Sequence, residues 1–206
     1  MMRNNYITIA GNIGAGKTSL VEFLCRRYQV KPFFEPNDTN PYLEDFYKDM
    51  HRWAFHSQVY FLTHKFRLHQ RLSVASGTVI QDRSIYEDAE IFARNLHNER
   101  KISKQDYTTY CELYANIIQI IRPPDLLIYL KCNLRTIKKR IASRGRPMEK
   151  DIPDAYLRKL NRLYNGWVDR YDLSPKLTIV TDRLDYQTDL CDQIYLLKRI
   201  EKHILL

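Results

Sequence analysis

The chain has 206 residues, 44% of them hydrophobic and 28% charged, with no uninterrupted apolar run of eighteen, so one soluble folded domain over residues 1–206 is expected rather than a disordered or membrane-spanning chain. Its net charge of +9 is weighted by positive residues between Arg135 and Arg162, without an aromatic-rich RNA motif or zinc module, which points to acidic small molecules and away from nucleic acid. Cys25, Cys111, Cys132 and Cys191 form no CxxC pair, which sets aside a disulfide framework and a zinc site and leaves reduced, buried thiols as the expectation.

In chain order, the first ten residues run directly into a glycine loop, leaving no room for a secretory leader unless the first strand went with it; a cytoplasmic location is expected. The β-branched run from Tyr6 to Ala10 predicts a strand, and Gly11, Asn12, Ile13, Gly14, Ala15, Gly16, Lys17 and Thr18 then match GxxxxGK[ST]. Glycines let backbone N–H groups converge on phosphate oxygens, Lys17 can reach the β and γ phosphates, and Thr18 can ligate Mg²⁺. The helical spacing of Leu20, Phe23 and Leu24 follows, completing a strand, loop and helix.

PFFEP, bracketed by Pro32 and Pro36, predicts a short second strand, and TVIQD, DLLIYL and LTIV predict buried parallel strands. Helical patterns lie at about 53–74, 87–96, 104–120, 134–143, 154–171 and 186–203. Strands alternating with helices predict an α/β layered fold around a five-stranded, mainly parallel sheet. His51, His56, His64 and His69 crowd the first long helix at spacings that do not align them as metal ligands.

In open α/β sheets, ligands gather at the carboxyl ends of the strands, so Glu35 and the Asp82-Arg83 pair should face the phosphate loop. A carboxylate can take the proton of an acceptor hydroxyl but repels an acceptor already carrying phosphate, so Glu35 favours an uncharged alcohol. Asp82 competes for that role; the preferred division makes Glu35 the base and puts Asp82 with Thr18 at the metal, while Arg83 offers a planar cation to the phosphoryl group. Further on, Arg140 and Arg144 are one helical turn apart, with Arg146 just past a helix-ending Gly145. These three cations can point together and stabilise charge on the transferring phosphoryl group, with Arg140 among the catalytic residues. The segment about 144–153 can close over ATP as an arginine-bearing lid. The guanine-reading NKxD motif of a regulatory GTPase is absent from the sequence.

Together the loop, EP, RWAFHSQ, DRSIYED and RGRPME resemble the deoxyribonucleoside kinase family over the first three quarters of the chain. The resemblance implies a P-loop kinase fold that uses ATP and Mg²⁺ to phosphorylate the 5′-hydroxyl of a deoxynucleoside, with a homodimer built through helices on one side of the sheet. It implies Glu35 and Arg83 at that hydroxyl, Asp82 near the metal, Tyr47 and Glu149 at the 3′-hydroxyl, Gln58 reading the base and Phe92 stacking on it. Asp88 matches an aspartate of members acting on purine nucleosides and deoxycytidine, which argues against thymidine; its basic companion is Lys65 or Arg67.

Asn40 and Ser57 stand where many animal members carry a tryptophan and a phenylalanine, and EPNDTNPY with FYKD resembles the bacterial deoxyadenosine and deoxyguanosine kinase branch. A purine deoxynucleoside is therefore the expected substrate, with a deoxycytidine-preferring or broad enzyme as the alternative. A thymidylate-type monophosphate kinase and a non-catalytic nucleotide-binding regulator are the rivals.

Overall fold

Residues 5–34 and 39–203 are described by the structure, a computed structural model. Five short strands, β1 (Tyr6–Ala10), β2 (Lys31–Phe33), β3 (Val79–Asp82), β4 (Leu126–Lys131) and β5 (Lys176–Val180), form one all-parallel sheet in the order β2-β3-β1-β4-β5. β1, β3 and the first five residues of β4 are buried on both faces, which explains why they read as unbroken apolar runs instead of alternating ones. β2 pairs only with β3, and at that edge Pro32 costs the sheet no interior hydrogen bond.

The chain leaves β1 toward β2 and β3 on one side and returns for β4 and β5 on the other, so the crevice of this sheet opens above the carboxyl end of β1. Register aligns Ile9 with Asp82 and Ala10 with Tyr129. Gly11 and Arg83 therefore emerge side by side, and Arg83 N donates to Ile9 O at 3.0 Å.

Helices cover the sheet: α1 (Lys17–Arg27), α2 (Leu43–Lys48), α3 (Met50–Ser73), α4 (Ile85–Glu87), α5 (Arg94–Asn98), α6 (Lys104–Ile118), α7 (Leu134–Arg144), α8 (Asp154–Arg170) and α9 (Leu190–Glu201). Ile7, Ile9, Leu20, Leu24, Ile128 and Leu160 belong to the main core between sheet and helices. None of the described helices is long and apolar enough to cross a membrane.

Local chemistry accounts for the departures from the expected elements. α3 starts at Met50, three residues early, because the Asp49 side chain caps Arg52 N at 3.1 Å. α9 starts at Leu190, four residues late: Asp185 accepts from Gln187 N and Thr188 N, holding a turn, and Asp189 then caps Asp192 N. The helix expected at 87–96 is instead α4, a π-helical stretch Asp88–Ala93 and α5. α2 is only six residues long, too short for a helical period to register.

β2 ends at Phe33, short of the expected 32–36, and Glu35 lies outside the described residues. The cysteines also differ from expectation: Cys132 is buried, Cys25 and Cys111 are half-buried and Cys191 is exposed, because Cys191 lies in the outward-facing first turn of α9.

Candidate active site

Two clefts meet over the end of β1. The first, about 400 Å³, is walled by the phosphate loop, by Arg140, Arg144 and Arg146, and by the segment from Leu184 to Gln187. The second leaves about 60 Å³ between α2, α3, the Asp82-Arg83 turn, the π-helical stretch and the lid. Gly14, Lys17, Thr18, Arg144 and Arg146 line both. A group passing from one cleft to the other passes these five residues.

Positive φ angles at Gly14 (74°) and Gly16 (96°) bend the loop in a way side chains resist, and a Cβ on Gly14 would sit 2.9 Å from Ile137 O. Gly14 is thus pressed against α7, the helix that carries the lid arginines. Lys17 Nζ donates to Gly11 O at 3.0 Å and Asn12 O at 3.1 Å, folded back over its own loop. Thr18 Oγ1 donates to Asp82 Oδ2 at 2.5 Å, joining the residues expected at a metal.

Asp82 Oδ1 is buried and has no hydrogen-bond partner among the described residues. A buried carboxylate oxygen left over beside a hydroxyl is the oxygen-donor chemistry a hard divalent cation takes. No group of three or more His, Cys, Asp or Glu gathers among the described residues, so such a cation would draw its remaining ligands from phosphate oxygens or water.

Arg83 follows with φ of 61°, a left-handed conformation costly for a residue with a side chain. Several contacts impose it: the backbone bond to β1, a guanidinium carbon 4.5 Å from the Phe92 ring centroid, and Nε 4.0 Å from Glu87 Oε1. The capping box of Ser84 and Glu87 starts α4 immediately afterwards.

Tyr47 on α2, Gln58 on α3, Asp88, Phe92 and Glu149 all line the second cleft with Arg83, so the structure gathers every described residue expected at the acceptor. Gln58 Oε1 is buried with no hydrogen-bond partner among the described residues, an amide acceptor available at the cleft wall. Lys65 Nζ, wholly buried, lies 2.9 Å from Asp88 Oδ1, which makes Lys65 rather than Arg67 the companion of this carboxylate. Asn40 Nδ2 donates to Ser57 Oγ at 3.1 Å, so the two positions that depart from the animal pattern touch each other.

The three arginines expected to act together line the first cleft but are engaged differently. Arg140 donates to Ala15 O at 2.8 Å, Thr181 O at 2.8 Å and Thr181 Oγ1 at 3.0 Å, bracing the phosphate loop against the end of β5. Arg144 hydrogen-bonds Glu149, and Arg146 lies 3.6 Å from the same carboxylate, so the lid is closed on itself by ion pairs.

Sequence reasoning missed the apolar wall of the second cleft, including Leu43, Phe46, Phe61 and Tyr156. Apolar residues at helical spacing look the same whether they face a core or a cleft. It also missed Tyr186, whose hydroxyl donates to Gly16 O at 2.9 Å. Burial pushes this phenol up to about 12, so it stays a neutral donor beside the loop.

A family model described as deoxynucleoside kinase matches residues 7–205. The deoxyadenosine/deoxycytidine kinase of Bacillus subtilis is 39% identical over 189 residues, 91% of this chain and 87% of that one. A deoxyguanosine kinase of Lactobacillus acidophilus is 38% identical over 203 residues, 94% and 88% of the two chains. Among solved structures, the deoxyadenosine kinase from M. mycoides with the products dCMP and a flexible dCDP bound superposes with a TM-score of 0.83 at 30% identity, covering 97% of this chain and all of that one.

Proposed function

The chain belongs to the deoxynucleoside kinase family, and from that premise we propose that it moves the γ-phosphoryl group of ATP to the 5′-hydroxyl of a purine deoxynucleoside, deoxyadenosine or deoxyguanosine, with deoxycytidine next. The observation that carries this reading is the meeting of two clefts at Lys17 and Thr18, one cationic and open, the other narrow with a buried amide and a buried Asp88–Lys65 pair. The purine assignment draws on relatives named as deoxyadenosine and deoxyguanosine kinases; deoxycytidine ranks next because one relative's name includes it and a structural neighbour holds dCMP.

In the proposed reaction the phosphate loop and Lys17 hold the triphosphate, Arg83 and Arg140 offset charge on the transferring phosphoryl group, and Arg144 and Arg146 turn from Glu149 toward it as the lid engages. The sugar lies between Tyr47 and Glu149, and the base lies against Phe92 within reach of Gln58 and Asp88. Glu35 takes the proton of the 5′-hydroxyl as the new O–P bond forms and the bond to the β-phosphate oxygen breaks, with ADP leaving. Thr18 and Asp82 would hold Mg²⁺, which supplies charge neutralisation at the phosphates. With its hydroxyl-bonded oxygen so committed, Asp82 is less available as the base, which favours Glu35 for that task.

We further propose a homodimer and a cytoplasmic location. α6 supports the dimer: it buries only Tyr110 among its own residues and leaves Leu113 and Ile118 exposed. Light scattering on the purified protein checks it, with twice the chain mass expected.

A substrate panel tests the reaction. With ATP and Mg²⁺, mass-resolved assays should give 5′-monophosphate from deoxyadenosine or deoxyguanosine fastest, deoxycytidine more slowly and thymidine least. Turnover of nucleoside monophosphates with none of the nucleosides would overturn the assignment in favour of a monophosphate kinase.

A further inference from the structure

Glu87 plays no part in that reaction, yet it is wholly buried against the first residue of the phosphate loop and the Arg83 side chain. Its carboxylate takes four donors. Oε1 accepts from Gly11 N at 3.3 Å and Tyr164 Oη at 3.0 Å, and Oε2 accepts from Ser84 N at 2.8 Å and Ser84 Oγ at 3.2 Å. These donors come from the first residue of the phosphate loop, from the turn that carries Arg83, and from α8. Nε of Arg83 is 4.0 Å from Oε1.

α8 grips the loop at a second point as well. Asn12 Nδ2 donates to Leu157 O at 2.9 Å and to Asn161 Oδ1 at 2.7 Å. Leu157, Asn161 and Tyr164 are spaced by four and three residues, hence on one face of the helix that directly follows the lid. A carboxylate presents acceptors on both oxygens, whereas an amide would turn an NH₂ toward one pair of donors. Burial holds the Glu87 carboxyl above its ordinary range, a rise that Arg83, Lys65 and Lys17 and the Ser84 bond offset only in part.

We propose that Glu87 is a positioning residue for phosphoryl transfer: its carboxylate fixes Arg83 relative to the phosphate loop and ties both to α8, the helix that follows the lid. The proposal rests on the reading of Arg83 as a group acting on the transferring phosphoryl. It explains why a residue held in a left-handed conformation stays there. It also gives the loop an anionic anchor at its first N–H.

A double-mutant cycle on the full chain tests it, with Glu87→Gln and Arg83→Gln made singly and together, and kcat and both KM values referred to the folded fraction. Glu87→Gln should lower kcat about 10- to 100-fold with both KM values within about threefold, since positioning acts in the transition state. In the Arg83→Gln background the same change should lower kcat by less than about threefold, because its route of action is already gone. Equal losses in the two backgrounds, or a loss of folded fraction with kcat unchanged, would overturn the proposal while leaving Arg83 in its role. Unchanged kcat in Arg83→Gln alone would overturn the reading of Arg83 and this proposal with it. Should Glu87→Gln not fold, Tyr164→Phe, which removes one donor and keeps the charge, takes its place with an expected loss of about threefold to tenfold; additivity with Arg83→Gln would again be decisive against coupling.

Discussion

The donor and acceptor clefts share five residues and are built on opposite plans. The donor cleft is open, about 400 Å³, and its key groups are backbone N–H, three arginines and Lys17, drawn largely from the contiguous loop and from α7 and its C-terminal extension. The acceptor cleft offers about 60 Å³ and takes one to three side chains from each of several elements, with a buried ion pair behind it. A triphosphate is recognised by charge and by amides that any sequence supplies once glycines allow the bend. A nucleoside has to be recognised by shape and by a few placed polar atoms, which only a convergent set of side chains provides. Donor binding should therefore tolerate side-chain change and resist backbone change, and acceptor binding should do the reverse.

The largest effect is expected at the proposed general base. Glu35→Gln should lower kcat by about 100- to 10,000-fold while ATP still binds, as for the loss of a general base; rapid-quench kinetics and calorimetric ATP titration measure the two parts. Next is the buried pair behind the acceptor cleft. Lys65→Met leaves Asp88 without its companion ammonium, and urea unfolding should show a loss of about 3–5 kcal/mol, less when Asp88→Ala is added.

A mirrored pair then separates the clefts. Gly14→Ala forces a side chain into a left-handed residue against Ile137 O, and should raise KM for ATP about tenfold with the nucleoside KM within about twofold. Gln58→Leu should do the opposite, raising the nucleoside KM about tenfold and sparing that of ATP. Steady-state kinetics with each substrate varied in turn would break the comparison if both variants moved the same constant.

The smallest expected effect lies outside both clefts. His69 is buried against the edge of the Tyr6 ring, and burial lowers its imidazole from 6.5 to about 4. The folded state therefore disfavours the proton: this contribution to stability is complete above pH 6.5 and is lost as pH falls from there to 4. Thermal melts of His69→Gln should lose less with acid over that window than those of the parent, by about 3 °C or more.

The same contrast explains what could be read from the residues in order. The phosphate loop was fully legible because its chemistry is local: eight consecutive residues specify the bend, the amides and the lysine. β1, β3 and β4 were legible because burial on both faces leaves apolar runs, and the partly exposed edge strands β2 and β5 were legible from their short apolar segments. Tyr47, Gln58, Asp88, Phe92 and Glu149 came from family resemblance, because a polar or aromatic residue on a helix carries no local mark of the cleft it faces.

Glu87 and Tyr164 were invisible because their meaning arises only when residues 77 apart in sequence meet. The π-helical stretch was hidden too, since its extra residue per turn leaves the apolar pattern of 87–96 looking like an ordinary helix. Asp185 illustrates a near miss, being polar, close to the first cleft and engaged in its own turn, with no spacing signal to mark it.

The division of labour between the clefts is tested most directly by a crystal structure with a purine deoxynucleoside and a non-hydrolysable ATP analogue bound together. The expected result is the base within hydrogen-bond distance of Gln58 and the γ-phosphate between Lys17 and Arg83, facing the 5′-hydroxyl. A triphosphate seated against Gln58, or a nucleoside bound away from Asp88 and Phe92, would contradict it.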